Sequence, residues 1–319
     1  MPAPRVLFVK LSSLGDVVHH FPAVTELLEH RPDLHVAWAV EEAYTDLVRL
    51  HPGVREVIPV GLRGLKRNLL DRARWRSVGE TRRALGTGGW DYVVDTQGLI
   101  KSGLIVRAAK GVAFGPDRRS AREPAAARFY DVKIPVPRER HAVERNRDLV
   151  AKVFGYAVAG PARCGLTAPP PPPWAPQGPY AVLLHAASRA DKRWPDDRWT
   201  ALARLLAESG YATVFPGGTD TERGAAARLA QSVPNAMAAP AMGLGEAAGL
   251  LANAALVAGV DTGLTHLAVA FERPTVGIYT STRPELTGLH GAEGVNLGGP
   301  GRAPSVEAVA AALGYQAPE

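Results

Sequence analysis

Residues 6–16 read Val-Leu-Phe-Val-Lys-Leu-Ser-Ser-Leu-Gly-Asp, an apolar run that ends in a polar turn containing glycine. A short apolar run before an amphipathic segment is typical of a buried parallel strand that leads into a helix. The same alternation recurs along the chain, which predicts the doubly wound α/β class. Strands are predicted at 6–10, 35–40, 56–60, 92–95, 181–185, 213–215, 256–260 and 275–279. Helices are predicted at 17–30, 43–50, 74–85, 143–154, 196–207, 220–231, 245–253, 264–270 and 305–313.

A proline run interrupts this alternation near the middle of the chain. Residues 168–174 read Ala-Pro-Pro-Pro-Pro-Pro-Trp, and proline can continue neither a helix nor a central strand because it has no N–H group. The sequence therefore predicts a linker between two domains. We place an N-terminal domain at 1–166, a C-terminal domain at 175–303, and a last helix within 304–319 that is able to pack back on either domain, including the N-terminal one.

Composition is that of a globular protein of the cytoplasm. The chain has 319 residues, which is long enough to form two hydrophobic cores. Hydrophobic residues make up 46% and charged residues 21%, which are ordinary values for a globular protein. One cysteine, Cys164, allows no intrachain disulfide and has no neighbours with zinc-site spacing. The N-terminal stretch lacks the features of a signal peptide, and the apolar stretch 247–260 is too short to cross a bilayer. We expect a cytoplasmic protein.

The net charge of +6 and the pI near 9.6 indicate an anionic partner. Nucleic acid, a membrane surface and a phosphorylated substrate all satisfy this condition, and a GC-rich genome explains the total equally well. Basic residues cluster at Arg63, Lys66 and Arg67, and again near Arg122. Such clusters are usually solvated, although arginine also suits carboxylates and phosphates. Because no nucleic-acid motif accompanies them, we expect no nucleic-acid partner.

The turn after the first predicted strand is the first candidate site. In an open α/β sheet the carboxyl ends of strands line the ligand crevice, so Ser12, Gly15 and Asp16 should face it. Gly15 permits close approach of a ligand, and Asp16 is able to take a proton from a hydroxyl group. An aspartate at this position also commonly caps a helix. The sequence leaves both interpretations open.

A second candidate follows the predicted strand at 256–260. Asp261, Thr262 and Gly263 should open a helix, whose free N–H groups and positive dipole end suit a pyrophosphate. His266 lies four residues after Thr262 on the same helical face and is able to donate a hydrogen bond. A helix cap, a packing glycine and a partly buried histidine would explain the same residues.

Two further loops at strand ends carry polar groups. In the loop after 181–185, Ser188 precedes Lys192, and a lysine there is able to neutralise a diphosphate leaving group. Glu222 follows the strand at 213–215, where acidic residues in nucleotide-binding folds accept ribose hydroxyls. A solvated lysine and a glutamate favoured by the helix dipole are the alternatives.

Seven motifs in order make the chain similar to the ADP-heptose:lipopolysaccharide heptosyltransferase family over nearly its whole length. They are Val9-Lys-Leu-Ser-Ser-Leu-Gly-Asp16, Val40-Glu-Glu42, Asp91-Tyr-Val-Val-Asp-Thr-Gln-Gly98 followed by Lys101-Ser102, Ala121-Arg-Glu-Pro124, His141-Ala-Val-Glu-Arg145, Asp191-Lys-Arg-Trp-Pro195 and Val260-Asp-Thr-Gly-Leu-Thr-His266. The pattern most resembles members that add the first heptose. Three departures lie in the donor loops. The family often has two threonines at Ala187-Ser188 and Trp-Gly at Gly217-Gly218, and Ala190 stands where the family has a second acidic residue before Lys192.

The resemblance implies a GT-B fold, in which two Rossmann-like domains face a central cleft. It implies inverting transfer of L-glycero-D-manno-heptose from ADP-heptose to a Kdo residue of Kdo2-lipid A, in synthesis of the lipopolysaccharide inner core. Asp16 matches the general base, and Lys192 matches the lysine that stabilises the departing ADP. Donor-site matches are Ser188, Glu222 at the ribose, Met242 at the adenine, Asp261, Thr262, Gly263 and His266. Acceptor-site matches are Ser12, Gly15, Arg63, Lys66, Arg67, Gln97, Arg122, His141 and Arg145.

The sequence favours chemistry without a metal or other cofactor. No Asp-x-Asp motif lies in the donor loops, and a helix dipole with a lysine is able to offset diphosphate charge. A lipid-linked anionic acceptor also implies transient contact with the inner-membrane surface, which makes a peripheral location possible. The alternatives are a second heptosyltransferase that extends a heptosylated acceptor, disfavoured by the motif at 121–124, and a non-catalytic protein that binds a nucleotide sugar.

Overall fold

The computed structural model describes residues 2–61 and 72–315, and the chain divides into two compact units. The first unit is Met1–Leu166 and the second is Thr167–Glu319. Each unit contains one parallel six-stranded sheet with helices packed on it. The α/β class and the pair of Rossmann-like units are therefore confirmed.

The first unit begins with strand β1 and alternates strands with helices. Its strands are β1 Arg5–Val9, β2 His35–Glu41, β3 Val54–Val60, β4 Tyr92–Asp95, β5 Val112–Pro116 and β6 Val132–Ile134. Its α-helices are α1 Leu14–Val18, α2 Phe21–His30, α3 Thr45–Val48, α4 Arg72–Thr87, α5 Ile100–Ala108 and α6 Ala142–Phe154. Two 3₁₀ helices lie at Glu42–Tyr44 and Pro124–Phe129.

The second unit repeats the pattern. Its strands are β7 Tyr180–Leu184, β8 Ala212–Phe215, β9 Ala236–Ala238, β10 Leu256–Val260, β11 Thr275–Tyr279 and β12 Gly294–Gly298. Its α-helices are α7 Asp196–Glu208, α8 Asp220–Gln231, α9 Leu244–Ala252, α10 Gly263–Ala270, α11 Pro284–Thr287 and α12 Val306–Ala312, and a 3₁₀ helix lies at Ala190–Lys192.

The two sheets share one strand order. It is β3-β2-β1-β4-β5-β6 in the first unit and β9-β8-β7-β10-β11-β12 in the second. In both, the order reverses between the first and fourth strands of the unit, and loops on either side of that point leave in opposite directions to open a crevice. The topology therefore marks the loops after β1 and β4, and those after β7 and β10, as the places to look for ligand sites.

The central strands form the core of each unit. β1, β7, β10 and β11 are buried along almost their whole length, as expected of parallel strands covered on both faces. β12, at an edge of its sheet, has only half-buried and exposed residues. Among the described residues, no helix is both long and apolar enough to span a membrane.

Two helices refine the sequence-based expectations. The helix predicted at 17–30 is broken into α1 and α2, because Pro22 has no N–H to donate to the preceding turn. The last helix, α12, for which the sequence allowed packing on either domain, packs on α7 and β11 of the second unit. Its Val309 and Ala310 belong to that unit's core, so its apolar face is buried within the second unit.

Candidate functional site

In the first unit, the side chain of Gln97 ties the loop after β4 to the loop after β1. Its Oε1 accepts a hydrogen bond from the Leu11 N–H at 2.7 Å, and its Nε2 donates to the Ser12 carbonyl oxygen at 2.7 Å. Asp95 stabilises the turn that carries Gln97, because its carboxylate accepts hydrogen bonds from the N–H groups of Gln97 and Gly98. Both ends of the Gln97 amide are thus used to fix the loop that leads to Asp16.

Asp16 lies in the first turn of α1 with a side chain 26% exposed. Its Oδ2 accepts hydrogen bonds from the Ser13 N–H at 3.0 Å and the Ser13 hydroxyl at 3.3 Å, and lies 3.5 Å from an Arg122 guanidinium nitrogen. Burial alone would raise the pKa of Asp16, but the charge of Lys10, the Ser13 hydrogen bond and Arg122 lower it below its ordinary value. Asp16 therefore caps α1 and remains an accessible, ionised carboxylate.

A cavity of about 70 Å³ lies beside this carboxylate. Four of the predicted site residues line it: Asp16, Gln97, Arg122 and Arg145. Arg145, on α6, is half-buried, and its Nε has no hydrogen-bond partner among the described residues. Burial and the charges of neighbouring arginines lower its pKa, which is partly offset by the charge of Asp16. The cavity thus brings cations together around a single accessible carboxylate.

Lys10 contributes a further positive charge to the same cavity. Its Nζ donates to the Thr96 carbonyl oxygen at 2.9 Å and to the Asn146 amide oxygen at 3.4 Å. Burial lowers the pKa of Lys10, while the charges of Asp16 and Asp95 act in the opposite direction. Ser12 is buried and is not among the residues that line the cavity, and its hydroxyl accepts a hydrogen bond from Lys101 at 2.7 Å.

In the second unit, Asp261 contacts side chains from the loop after β7, from the loop after β11 and from helix α10. Its Oδ2 accepts from Lys192 Nζ at 2.7 Å and from the Thr282 hydroxyl at 2.8 Å, and its Oδ1 lies 3.6 Å from His266 Nε2. Burial would raise the pKa of Asp261, but the hydrogen bonds from His266, Lys192 and Thr282 lower it strongly. Lys192 and Asp261, predicted from separate motifs, are brought into direct contact.

The N-terminus of α10 follows Asp261 directly. Thr262 is its N-cap residue and Gly263 its first residue, so the free N–H groups of the first turn lie next to the Asp261–Lys192 pair. The approach of this helix to β10 depends on Gly259, because an added Cβ there would lie 2.3 Å from the Thr265 hydroxyl oxygen. Such a helix start can bind an anion through its amides while Lys192 supplies charge.

The remaining donor-site candidates lie on neighbouring loops of the second unit. Glu222 Oε2 accepts from the N–H groups of Gly218 and Thr219, so the residue caps α8. Gly217 allows that loop to lie close to the helix, since a Cβ there would be 2.6 Å from the Arg223 nitrogen. Ser188 is exposed in the loop after β7, and Met242 is half-buried just before α9.

Among the acceptor-site candidates, His141 caps α6, because its Nδ1 accepts from the Val143 N–H at 3.2 Å. Gly15 is half-buried within α1. Both residues are absent from the lining of the cavity beside Asp16. Arg63, Lys66 and Arg67, which the sequence assigned to the acceptor, lie outside the described residues.

Sequence reasoning missed four residues of these sites: Lys10, Lys101, Asn146 and Thr282. Thr282 follows β11, so the rule that strand-end loops carry ligand groups would have found it. Lys10 lies at the end of β1 and was open to the same argument. Asn146 gives no comparable signal, because it lies in the middle of α6 and meets Lys10 only through the fold. Within residues 2–61 and 72–315, no group of three His, Cys, Asp or Glu side chains could hold a metal ion.

Comparison with known proteins places these features in one family. The family model for glycosyltransferase family 9, the heptosyltransferases, matches residues 78–314. Lipopolysaccharide heptosyltransferase 1 of Pseudomonas aeruginosa is 40% identical over 299 residues, covering 92% of this chain and 83% of that protein. The structure of E. coli heptosyltransferase WaaC with ADP is similar with a TM-score of 0.90 at 38% identity, covering 96% of this chain and 97% of that one. A second WaaC structure, with ADP-2-deoxy-2-fluoro heptose, gives a TM-score of 0.84 at 38% identity, covering 93% and 94%.

The chain therefore belongs to glycosyltransferase family 9 and is a glycosyltransferase with a GT-B fold. Within the family it is similar, over nine-tenths of its length, to heptosyltransferases of the first type, which confirms the resemblance drawn from the motifs. Its class of activity is heptose transfer in synthesis of the lipopolysaccharide inner core.

Proposed function

We propose that the protein transfers L-glycero-D-manno-heptose from ADP-heptose to a Kdo residue of Kdo2-lipid A, with inversion at the anomeric carbon. The observation that carries the acceptor half is the accessible Asp16 carboxylate beside a cavity lined by Lys10, Arg122 and Arg145. The observation that carries the donor half is the Lys192–Asp261 pair at the start of α10.

The role proposed for Asp16 is that of general base. A hydroxyl group becomes a better nucleophile as its proton is transferred to a carboxylate, which must be ionised and reachable. Asp16 meets both conditions, since its pKa lies below the ordinary value and its side chain is partly exposed. In the proposed step, Asp16 accepts the proton of the Kdo hydroxyl as that oxygen bonds to the anomeric carbon of heptose, and the bond from that carbon to ADP breaks.

The cations around Asp16 suit an anionic acceptor. Lys10, Arg122 and Arg145 place three positive charges around a carboxylate that can balance only one. Kdo carries a carboxylate and lipid A carries phosphates, and arginine donates to such groups in pairs. We assign Arg122 and Arg145 to the acceptor, together with Arg63, Lys66 and Arg67 on the basis of the motifs.

On the donor side, we propose that the diphosphate binds at the start of α10 and takes up Lys192. The negative charge of ADP increases as the glycosidic bond breaks, and a nearby ammonium together with helix N–H groups stabilises it. Lys192 can turn from Asp261 towards the phosphates, while Thr282 and His266 continue to hold the aspartate. Ser188 is assigned to the phosphates, and Glu222 and Met242 to the nucleoside.

This mechanism needs no metal ion, because Lys192 and the helix N-terminus supply the positive charge that a divalent cation would provide. We therefore expect EDTA to leave the initial rate of transfer unchanged. The rate of transfer would be measured from the ADP released, with and without EDTA. Loss of activity in EDTA, restored by Mg²⁺ or Mn²⁺, would overturn this part of the proposal.

The setting of the reaction is also a proposal. We infer that the protein works at the cytoplasmic face of the inner membrane, which it contacts transiently while the acceptor's lipid chains remain in the bilayer. The second candidate function, heptose addition to an already heptosylated acceptor, is disfavoured by the similarity to first-type enzymes across both units. A silent nucleotide-sugar-binding protein would not need the accessible, ionised carboxylate at Asp16.

Mass spectrometry of Kdo2-lipid A after incubation with the purified protein and ADP-heptose tests the proposal, with heptosylated Kdo2-lipid A as a parallel acceptor. We expect a gain of one heptose on the unheptosylated acceptor alone. A gain only on the heptosylated acceptor would move the protein to the second type. Binding of ADP-heptose without a gain on either acceptor would support the non-catalytic alternative.

A further inference from the structure

Helix α5, Ile100–Ala108, has an exposed face that carries apolar side chains. Its buried face consists of Ser102, Gly103, Ile105 and Val106. On the opposite face Ile100 is 43% exposed and Leu104 is 59% exposed, the largest value among the exposed large hydrophobic residues of the described chain. Since residues four apart lie side by side on a helix, the two form one small apolar patch. Single exposed apolar residues are ordinary, but an adjacent pair of this size is a candidate contact surface.

Two exposed arginines lie near this patch. Arg107 is on the same helix, three residues after Leu104, and Arg128 is at the end of the 3₁₀ helix that packs against α5. Lys101 is half-buried and paired with Glu41, and the exposed Glu123 is the one acidic side chain bonded to α5 at Ile100 among the hydrogen bonds described. Residues 97–135 contain eight lysines and arginines but three aspartates and glutamates. The chain's excess of positive charge is thus concentrated in the segment that carries the exposed leucine and isoleucine.

The patch adjoins the site around Asp16. Lys101, next to Ile100, donates its hydrogen bond to the Ser12 hydroxyl in the loop that leads to Asp16. The N–H of Ile100 donates to Glu123, one residue from Arg122 of the cavity. A surface that contacts α5 at Ile100 therefore lies within a few residues of the place where the acceptor hydroxyl would react.

We propose that Ile100 and Leu104, with Arg107 and Arg128, form a docking surface for an anionic lipid bilayer. A few apolar side chains that enter the interface, ringed by lysine and arginine opposite anionic headgroups, are the two ingredients of reversible membrane binding. A protein partner is less favoured, because a stable protein interface needs a much larger apolar core than two side chains provide. The inference rests on the proposed function, since it places a bilayer-held acceptor beside Asp16.

Co-sedimentation with vesicles of phosphatidylglycerol and phosphatidylethanolamine tests the inference on the full-length protein. We expect the double variant Ile100→Ser, Leu104→Ser to bind these vesicles with an affinity about tenfold lower than that of the unmodified chain. Arg107→Ser should weaken binding by a smaller factor that disappears at high salt. Phosphatidylcholine vesicles should bind the unmodified protein poorly.

Matched controls separate the patch from surface changes in general. Val295→Ser removes an exposed apolar side chain from the second unit, and Arg228→Ser removes an exposed arginine there. Neither should change vesicle binding. Equal binding by the double variant and Val295→Ser, or binding of the unmodified protein to phosphatidylcholine as strong as to the anionic vesicles, would overturn the inference.

Transfer assays distinguish failure of the docking surface from failure of the proposed function. With Kdo2-lipid A in vesicles, the double variant should transfer heptose several-fold more slowly, whereas with a de-acylated, water-soluble Kdo acceptor it should match the unmodified protein. Equal loss on both acceptors would show that the variant disturbs the site and overturn the docking assignment. No transfer by the unmodified protein to either acceptor would refute the proposed function itself.

Discussion

The two units have the same strand order, and each has an aspartate beside its switch point, the place between the first and fourth strands where that order reverses. The surroundings of the two aspartates are opposite. Asp16 in the first unit lies 3.5 Å from Arg122, with Lys10 and Arg145 around the adjoining cavity, and its side chain is 26% exposed. Asp261 in the second unit accepts from Lys192 and Thr282 at less than 3 Å, and its side chain is 12% exposed. The first carboxylate is available to a substrate, whereas the second is satisfied by its neighbours.

This difference shows how one topology supports two kinds of substrate. Loops at the switch point of a parallel sheet provide the position, and the side chains determine the chemistry. In the first unit a lone ionised carboxylate among cations suits an anionic nucleophile whose proton must be removed. In the second unit an aspartate orients a lysine at a helix N-terminus, which suits a diphosphate.

The largest effect is expected from Asp16→Asn, which keeps the shape of the side chain but removes its basicity. Loss of a general base typically lowers the rate by 10²–10⁴-fold, and we expect turnover of ADP-heptose and Kdo acceptor to fall by about 10³-fold. Initial rates by mass spectrometry of the acceptor provide the measurement. Asp46→Asn, at an exposed surface pair with Arg49, serves as the control and should be silent. A fall of less than tenfold for Asp16→Asn would show that Asp16 is not the general base.

Substitution of Lys192 tests the donor side. Lys192→Met removes the charge proposed to stabilise departing ADP, and we expect kcat at saturating ADP-heptose to fall by about 10²-fold. Lys192→Arg keeps a positive charge and should retain more activity than Lys192→Met. If the two variants were equally impaired, contact geometry with Asp261 rather than charge would account for the role of the lysine.

Gln97→Leu distinguishes a positioning residue from an acceptor ligand. Because the Gln97 amide is engaged at both ends with Leu11 and Ser12, its loss should loosen the loop before Asp16. We expect kcat to fall about tenfold, and the free energy of unfolding to fall by about 1–3 kcal/mol from two buried hydrogen bonds. The exposed Gln231→Leu is the control. A raised KM for the acceptor with unchanged kcat and stability would instead support direct contact with substrate.

The smallest expected effect is a shift in pH dependence. The charge of Lys10 is the strongest of the influences that lower the pKa of Asp16, and Asp16 acts as base only when ionised. Activity of the unmodified protein should therefore be lost only as pH falls through a value below the ordinary aspartate range. In Lys10→Met the pKa of Asp16 should rise, so the acid limb of the kcat profile should move to higher pH. The exposed Lys152→Met is the control. If the acid limb of Lys10→Met lay at the same pH as that of Lys152→Met, the charge of Lys10 would not set the pKa of Asp16.

The central strands could be predicted from sequence because burial on both faces leaves a continuous apolar run. β10 and β11 were predicted with the bounds that the structure has. The strands β5, β6, β9 and β12 were missed, because they are short, end in glycine and proline, or are largely exposed, and so have no continuous apolar run. The helix α5 was missed although it carries an apolar sequence, and it is where the exposed pair Ile100 and Leu104 lies.

The candidate sites could be predicted in part for a related reason. Asp16, Lys192 and Asp261 follow strands, so their proximity to a crevice follows from chain position alone. The hydrogen-bond partners of these residues cannot be predicted from chain position, because a contact such as Asp261 with Thr282 joins two loops whose distance depends on the strand order. Gln97 was assigned to the acceptor from its motif, yet its hydrogen bonds to the loop after β1 appear only once β1 and β4 are paired. The ligands themselves remain predictions for Ser188, Glu222, Met242 and His266.

Titration of ADP into the unmodified protein, Asp16→Asn and Lys192→Met by calorimetry tests the division between the two switch points most directly. We expect Asp16→Asn to bind ADP with the affinity of the unmodified protein and Lys192→Met to bind it more weakly. If Asp16→Asn lost ADP affinity together with transfer, Asp16 would belong to the donor site or to the framework of the fold, and the proposed division would be wrong.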